Sequence, residues 1–128
     1  PYAHLRENCR LDSAVHIGNF VELKNASVGS GTWLSHLSYV GDADLGARCN
    51  VGCGAVTVKF DRVEKHRTTV GDDAFIGCNT SLVAPVSVGN GAYIAAGSVI
   101  TEDVPAQALG IARSRQSNKR DWAAKHKK

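Results

Sequence analysis

The side chain best suited to proton transfer near neutral pH is an imidazole, and this 128-residue sequence has five histidines, among them His36 between Ser35 and Leu37. An imidazole titrates near neutral pH, so it can accept a proton from an attacking amine and release it again. The plainer interpretation is a residue at a turn of the chain without a chemical task. On residue type alone, that plainer interpretation is favoured.

Four cysteines are the other candidates for chemistry: Cys9, Cys49, Cys53 and Cys78. Cys49 and Cys53 are four residues apart, which is not the spacing of a zinc knuckle. All four lie among apolar or small residues. We therefore expect reduced thiols that fill small spaces in a cytosolic protein, with neither a metal site nor a disulfide framework.

The elements that must position these side chains repeat every six residues. Between residues 70 and 105 the aliphatic positions are Val70, Ile76, Leu82, Val88, Ile94 and Ile100. A period of six fits neither a helix nor a lone strand. It fits a chain that turns at each repeat, so that three sides close a coil of about 18 residues. Coils of this kind stack at strand spacing, about 4.8 Å. The pattern predicts an all-β fold, a parallel β-helix of hexapeptide repeats.

The same spacing starts near residue 1 and slips by one residue twice. Its aliphatic or small positions are Leu5, Leu11, Ile17, Leu23, Val28, Leu34, Val40, Leu45, Val51 and Thr57. A one-residue deletion at a corner displaces a turn without breaking the stack. The whole series predicts about five to six coils. No capping coil is visible at the N-terminal end, so we expect a preceding domain or another chain to cover it.

Two segments depart from the repeat. Residues 58–69, VKFDRVEKHRTT, hold seven charged or histidine residues among twelve, which predicts a loop that projects beside a binding site. The predicted domains are a β-helix over residues 1–105 with this loop, and a C-terminal arm and basic tail over 106–128. The tail has seven Lys or Arg and one Asp from Arg113 onward, and Trp122 is its one residue that needs burial. Such a tail is a solvated terminus or a partner for a phosphate-bearing ligand.

Composition excludes several classes of protein. Aromatic residues make up 6% of the chain and methionine is absent, so a globular core of large side chains is not expected. The net charge of +3 has no aromatic platform beside it, so we expect no nucleic acid partner. No 20-residue apolar span or signal peptide is visible. We therefore expect a cytoplasmic protein that does not bind membranes.

Three runs carry a resemblance to a known family. They are GNFVELK at 18–24, SHLSYVGDADLG at 35–46 and CNVGCGAVT at 49–57, and the likeness continues to about residue 116. The chain resembles the acetyltransferase domain of the bifunctional N-acetylglucosamine-1-phosphate uridyltransferase/glucosamine-1-phosphate acetyltransferase. The resemblance implies a left-handed parallel β-helix, a homotrimer with sites between subunits, and transfer of acetyl from acetyl-CoA to an amino-sugar phosphate for cell-wall precursor biosynthesis.

Catalytic roles follow from that resemblance. His36 matches the family's general base, and Glu22 matches a carboxylate that orients its ring. The backbone amide near Cys53 matches the donor that stabilises the oxyanion. Because of this resemblance, we prefer the interpretation of His36 as a general base to that of a turn residue without a chemical task.

The acceptor site implied by the resemblance binds a sugar phosphate through cations and hydrogen-bonding groups. The matching residues are Arg6, Lys24, Tyr39, Asn50 and Lys65. Arg6, Lys24 and Lys65 would hold the phosphate, while Tyr39 and Asn50 would hold the sugar.

The positions implied for acetyl-CoA match the family less closely. They are Lys59, Phe60, Cys78, Ala96 and Arg113. Lys59 and Phe60 stand where the family has Asn and Tyr, and Cys78 stands where it has Ser, a stronger hydrogen-bonding group. These changes leave open a sugar-phosphate-binding trimer with weakened acyl-CoA use. A zinc-dependent carbonic anhydrase of the same fold needs three converging histidines, and the spacing of His16, His36 and His66 does not match its pattern.

Overall fold

A computed structural model describes residues 2–58 and 66–127. Its strands are β1 His4–Leu5, β2 Arg10–Leu11, β3 His16–Val28, β4 Trp33–Leu45, β5 Asn50–Val51, β6 Val56–Val58, β7 Thr68–Val70, β8 Phe75–Ile76, β9 Ser81–Val83, β10 Val86–Val88, β11 Tyr93–Ile94, β12 Val99–Ile100 and β13 Leu109–Gly110. One short helix, α1, covers Trp122–Lys125. The strand pairs are all parallel, which confirms the predicted all-β parallel β-helix.

The pairings divide the solenoid into three faces. The first face has the register His4, Glu22, Tyr39, Val56, Ser81 and Val99. The second face has Arg10, Ser27, Asp44, Thr69 and Ser87. The third face has His16, Trp33, Asn50, Phe75, Tyr93 and Leu109. Because side chains alternate along a strand, these registered residues point outward and their neighbours point into the core.

Register offsets confirm the two slips in the repeat. His4 pairs with Glu22, 18 residues on, whereas Glu22 pairs with Tyr39, 17 residues on. Across the insertion the offset rises to 25, from Val56 to Ser81. Val58 pairs with Val83 and Thr69 with Ser87, so these ends of the predicted loop 58–69 are strand residues. The inserted segment is therefore shorter than residues 58–69, the stretch over which the sequence repeat is interrupted.

The core contains two stacked columns of side chains. The first is the predicted aliphatic series, which is buried from Leu23 to Ile100. The second was not predicted and consists of small residues two positions earlier: Ala26, Thr32, Ser38, Ala43, Cys49, Ala55, Thr68, Ala74, Thr80, Ala92 and Ser98. The Thr32 hydroxyl donates to Gly46 O at 2.7 Å and accepts from Cys49 N at 3.0 Å. The hydroxyls of Thr32, Thr80 and Ser98 thus bond to backbone groups, whereas the buried hydroxyls of Ser38 and Thr68 have no partner within the described residues.

The two ends of the solenoid differ from its middle, and the N-terminal end lacks a capping coil within the described residues, as the sequence predicts. Leu5 and Leu11 are 48% and 36% exposed because no coil covers them within the described residues. At the other end, Val99 N donates to Ala112 O, so coil structure continues beyond the predicted boundary at 105. Trp122 is 54% exposed and stacks on His126 at 4.2 Å, so its expected burial is wrong for this chain. Among the described residues, no helix is long and apolar enough to cross a membrane.

Candidate active site

His36 lies at the corner where the third face turns into the first. Residues Trp33 and Leu34 before it belong to the third face, and Tyr39 after it belongs to the first. Continuing the register through this corner aligns one residue from each coil, a set that we call the corner ladder: Asn19, His36, Cys53, Cys78 and Ala96. The base, the oxyanion donor and two cofactor positions implied by the resemblance therefore share one edge of the solenoid.

The backbone at this corner has the same conformation in every coil. The residue after each ladder position has a positive φ: Phe20 62°, Leu37 52°, Gly54 79°, Asn79 56° and Gly97 75°. Glycine takes this conformation without strain, but a leucine there costs about 1 kcal/mol or more. Leu37 is also 54% exposed. Phe20, which is 57% exposed, shares this strain one coil earlier, so the strained apolar residues follow Asn19 and His36 alike.

A second cluster lies on the first face around Glu22. Its carboxylate accepts a hydrogen bond from Nη1 of Arg6 at 3.2 Å and lies 3.9 Å from Nδ1 of His4. The pKa of Arg6 is raised, chiefly by the bond to Glu22. The pKa of Glu7 is lowered, first by a backbone hydrogen bond and then by the nearby charge of Arg6. The positive charge of Arg6, a predicted phosphate-binding residue, is therefore paired with the carboxylate of Glu22 in this arrangement.

Tyr39 lies next to this cluster and folds over Gly41. A Cβ atom at Gly41 would lie 2.6 Å from Cζ and 2.8 Å from Cε2 of Tyr39. Any side chain at Gly41 would therefore displace the ring. Lys24 is in register with Gly41 on the neighbouring coil, so the ring of Tyr39 lies beside the Lys24 strand.

The contact implied between Glu22 and His36 is not part of this arrangement. Glu22 is in register with Tyr39, whereas the partner of His36 across the coils is Asn19. The recorded charged partners of Glu22 are Arg6 and His4. Neither Asn19 nor His4 was singled out from the sequence, although the coil period places both beside predicted site residues.

The structure separates one acceptor residue from the others. Asn50 is on the third face, between Trp33 and Phe75 in register. Arg6, Glu22 and Tyr39 are on the first face. Outward side chains on two faces of a triangular solenoid diverge, so Asn50 points away from the first-face cluster of its own chain.

Two predicted cofactor residues do come together. Nη1 of Arg113 donates to the backbone oxygen of Ala96 at 2.7 Å, which holds the guanidinium at the upper end of the corner ladder. Within residues 2–58 and 66–127, the N–H of Cys53 has no recorded acceptor. The predicted residues Lys59, Phe60 and Lys65 lie outside the described residues.

An ion pair that sequence reasoning missed anchors the chain just after the insertion. Arg67 donates to Asp44 through Nε at 3.1 Å and Nη2 at 2.9 Å. The same Nη2 donates to the oxygens of Ala43 and Asn25. The pKa of Asp44 is lowered, first by Arg67 and then by the Ser27 hydroxyl. Arg67 thus joins two coils to the end of the inserted segment.

The third face carries a column of exposed aromatic side chains. His16 stacks on Trp33 at 4.2 Å, and Phe75 stacks on Tyr93 at 5.3 Å. Their 17- to 18-residue spacing was visible in the sequence once the coil length was known. In the part of the chain that the structure describes, no three His, Cys, Asp or Glu side chains gather as a metal site.

Sequence comparison relates the chain to a transferase family. Residues 67–102 match the family described as bacterial transferase hexapeptide (six repeats). The "Bifunctional protein GlmU" of Caldicellulosiruptor saccharolyticus is 58% identical over 99% of this chain. That of Clostridium tetani is 57% identical over 98%. The chain spans only 27% and 28% of these two relatives.

Structural comparison gives the same fold. A GDP-perosamine N-acetyltransferase variant from Caulobacter crescentus, in complex with CoA and GDP-perosamine, has a TM-score of 0.78 and 25% identity. It covers 87% of this chain, which spans 50% of that one. Serine acetyltransferase from Neisseria gonorrhoeae has a TM-score of 0.65 and 26% identity, covering 84% of this chain and 45% of that one.

Proposed function

We propose, from the homology of this hexapeptide-repeat chain to one segment of the bifunctional GlmU proteins, that it transfers acetyl from acetyl-CoA to the amine of glucosamine 1-phosphate or a similar amino-sugar phosphate. The solved relatives support this class of reaction, since they are named as acetyltransferases that act on an amino sugar or on serine. The alternative of a sugar-phosphate-binding trimer with weakened or altered acyl-CoA use and little catalysis rests only on the changes at Lys59, Phe60 and Cys78, and the comparisons do not favour it.

The corner ladder carries the proposal. It places His36, Cys53, Cys78 and Ala96 on successive coils along one edge, with the first-face cluster beside it. A long, thin donor such as acetyl-CoA suits an edge that runs along several coils. The acyl group would then meet the acceptor amine at the His36 end of the ladder.

Each group at the His36 end of the corner ladder has one proposed role in the reaction. The sugar amine attacks the thioester carbonyl carbon while Nδ1 or Nε2 of His36 takes the amine proton. The N–H of Cys53, which has no acceptor among the described residues, donates to the developing oxyanion. The C–S bond then breaks, and the CoA thiolate leaves with the proton that His36 releases.

Arg6 and Glu22 are proposed to change partners when the acceptor binds. Arg6 is bonded to Glu22 in this structure. A phosphate has more charge than a carboxylate and competes for the guanidinium. Once Arg6 and Lys24 hold the phosphate, the carboxylate of Glu22 becomes available to orient the ring of His36.

At the donor end, Arg113 is proposed to bind a CoA phosphate from its position on Ala96. Cys78 would line the pantetheine path. Lys59, Phe60 and Lys65 keep the donor and acceptor roles implied by the resemblance.

A homotrimer with sites between subunits is proposed as the working form. Asn50 diverges from the acceptor cluster of its own chain, so it can serve an acceptor only beside the first face of a neighbour. The exposed aromatic column around Asn50 supports such a contact, because stacked aromatic side chains are favoured in subunit interfaces.

The test incubates the chain with acetyl-CoA and glucosamine 1-phosphate and detects the N-acetylated sugar phosphate by mass spectrometry. N-acetylglucosamine 1-phosphate, whose amine is already blocked, is the control acceptor. Product with the free amine alone supports the proposal. Calorimetry that finds sugar-phosphate binding but no acetyl-CoA binding, together with no product, would establish the binding alternative instead.

A further inference from the structure

Two thiols stack on adjacent coils in the middle of the corner ladder. Asn50 is in register with Phe75, and Val51 with Ile76, so continuing that register aligns Cys53 with Cys78. The backbone confirms the alignment, because Asn79 N donates to the oxygen of Cys53 at 2.8 Å. The two cysteines therefore occupy equivalent positions in the turns of adjacent coils.

The two coils pass close to each other at this corner. A Cβ atom at Gly52 would lie 2.7 Å from N and 2.9 Å from Cα of Cys78, which leaves no room for any side chain there. Neighbouring parallel strands are about 4.8 Å apart. That spacing is within the Cα separation of roughly 4.4–6.8 Å that a disulfide spans. Closing the bond draws the two Cβ atoms together by roughly 1 Å, and this strain makes the bond easier to reduce.

Exposure separates this pair from Cys49, and position separates it from Cys9, which is half-buried as Cys53 is. Cys78 is exposed and Cys53 half-buried. Cys49 is buried, its Sγ donates to Gly71 O at 3.0 Å, and burial raises the pKa of its thiol. Cys9 is on the first coil, with its Sγ directed at Glu7 O. Cys53 and Cys78 are therefore the two thiols that are both adjacent and accessible.

We propose that Cys53 and Cys78 form a reversible dithiol–disulfide site. The thiolate of Cys78 attacks a low-molecular-weight disulfide and releases one thiolate, leaving a mixed disulfide on Cys78. The thiolate of Cys53 then attacks the Cys78 sulfur and releases the second. The two protein thiols lose two electrons and two protons, and the oxidant becomes two thiols.

The consequence for activity rests on the proposed function. The N–H of Cys53 is the proposed oxyanion donor, and Cys78 lines the proposed path of CoA. A bond between their side chains draws the two coils together and fills the space beside that path. Oxidation is therefore expected to lower acetyl transfer by about tenfold or more, because small displacements of a reacting group have effects of this size.

The experiment oxidises the purified chain with 4,4′-dithiodipyridine and removes excess reagent before analysis. Intact mass and thiol titration are then compared for the wild-type chain, Cys53→Ser, Cys78→Ser and the control Cys9→Ser. In the wild type and the control, the mass is expected to fall by two hydrogen atoms. The free thiols should fall from four to two in the wild type and from three to one in Cys9→Ser, which lacks one cysteine. Peptide mapping should link Cys53 to Cys78, and dithiothreitol should reverse the change.

Activity measured on the same samples separates the two proposals. Loss on oxidation and recovery on reduction in wild type and Cys9→Ser, in samples that contain the Cys53–Cys78 link, supports the redox site and its effect. In Cys53→Ser the reaction stops at the mixed disulfide on Cys78, which intact mass identifies as an adduct and not as a loss of two hydrogen atoms. If the oxidised chain yields the Cys53–Cys78 peptide but the reduced chain shows no acetyl transfer, the proposed function is overturned and the redox site stands. A link to Cys9 or Cys49, a link between chains, or four thiols after oxidation would overturn the redox site.

Discussion

At the scale of single residues, position on the corner ladder distinguishes His36, the proposed base, from His16 and His126. Its ring projects from a turn whose backbone is held by the positive φ of Leu37, on the edge shared with Cys53. His16 is stacked on Trp33, and His126 on Trp122. The position of His36 along the ladder is therefore what distinguishes it chemically.

Replacing His36 with alanine is expected to lower the acetyl-transfer rate by about 100-fold or more, because the attacking amine loses its general base. The thermal midpoint should stay near that of the wild type, since the side chain is exposed. His126→Ala, in the tail, is the matched control. An unchanged initial rate for His36→Ala in the mass-spectrometric assay would remove His36 from the mechanism.

Replacing Gly41 with alanine is expected to weaken binding of the sugar phosphate by about tenfold, because the added Cβ atom displaces the ring of Tyr39. Calorimetric titration of glucosamine 1-phosphate measures the effect. Gly41→Ala, Tyr39→Ala and the double variant form a cycle in which the two losses should not add. Additive losses would show that Gly41 does not act through Tyr39.

At the scale of elements, each corner is held by backbone bonds and by hydroxyls of the second core column. Thr32 is fully buried and satisfies both a carbonyl and an amide of the next coil. Outside the core, Arg67 also links neighbouring coils, because its guanidinium donates to the carboxylate of Asp44 and to backbone oxygens of two coils. These bonds set the position of the coils that carry the ladder.

Thr32→Val is expected to lower the free energy of unfolding by about 1–3 kcal/mol, because it leaves Gly46 O and Cys49 N without their partner in the core. Urea unfolding measures the change. Thr69→Val, at an exposed position of the second face, is the control and should alter stability by about 0.5 kcal/mol or less. Equal effects of the two variants would contradict this role for Thr32.

The bond to Arg67 makes stability depend on pH. Because the pKa of Asp44 is lower in the folded chain, the unfolded chain binds its proton first as pH falls. The stabilisation is therefore complete above the unfolded value, about 3.9, and is lost as pH falls through the lower folded value.

Comparing urea unfolding of the wild type and Asp44→Asn from pH 7 to pH 2 checks this dependence. The difference should be at most about 1 kcal/mol near neutrality, since the pair is partly exposed, and should vanish in acid. Asp121→Asn, in the tail, is the control. A difference that grows on acidification would contradict the assignment.

At the scale of the whole molecule, the three faces differ in character. The second face carries polar residues such as Ser27, Thr69 and Ser87, whereas the third carries stacked aromatic side chains. The first face carries the charged cluster around Glu22. This asymmetry is what a subunit needs if its third face is to meet the first face of a neighbour.

Phe75→Lys is therefore expected to convert the proposed trimer to monomers, because it places a charge in the aromatic column of the third face. Sedimentation velocity measures the assembly state, and acetyl transfer should fall with it. Ser87→Lys places the same charge on the second face and should leave the assembly intact. An unchanged sedimentation coefficient for Phe75→Lys would move the proposed interface elsewhere.

The amino-acid sequence by itself determined the fold class and the register of the coils. The aliphatic positions from Leu23 to Ile100 recur every six residues or slip by one, and burying them admits only a solenoid. The runs around His36 and Tyr39 also identified most of the candidate site residues. These features were readable because each depends on spacing along the chain.

Only the tertiary structure decided which of those residues meet. That Glu22 holds Arg6, that Asn50 diverges from Tyr39, and that Cys53 stacks on Cys78 depend on coil offsets of 18, 17 and 25 residues, respectively. Two inserted residues more or fewer would leave the repeat pattern legible and change every such neighbour. Contacts between coils are fixed by the total number of residues between the two contacting positions. The six-residue pattern alone does not specify that number.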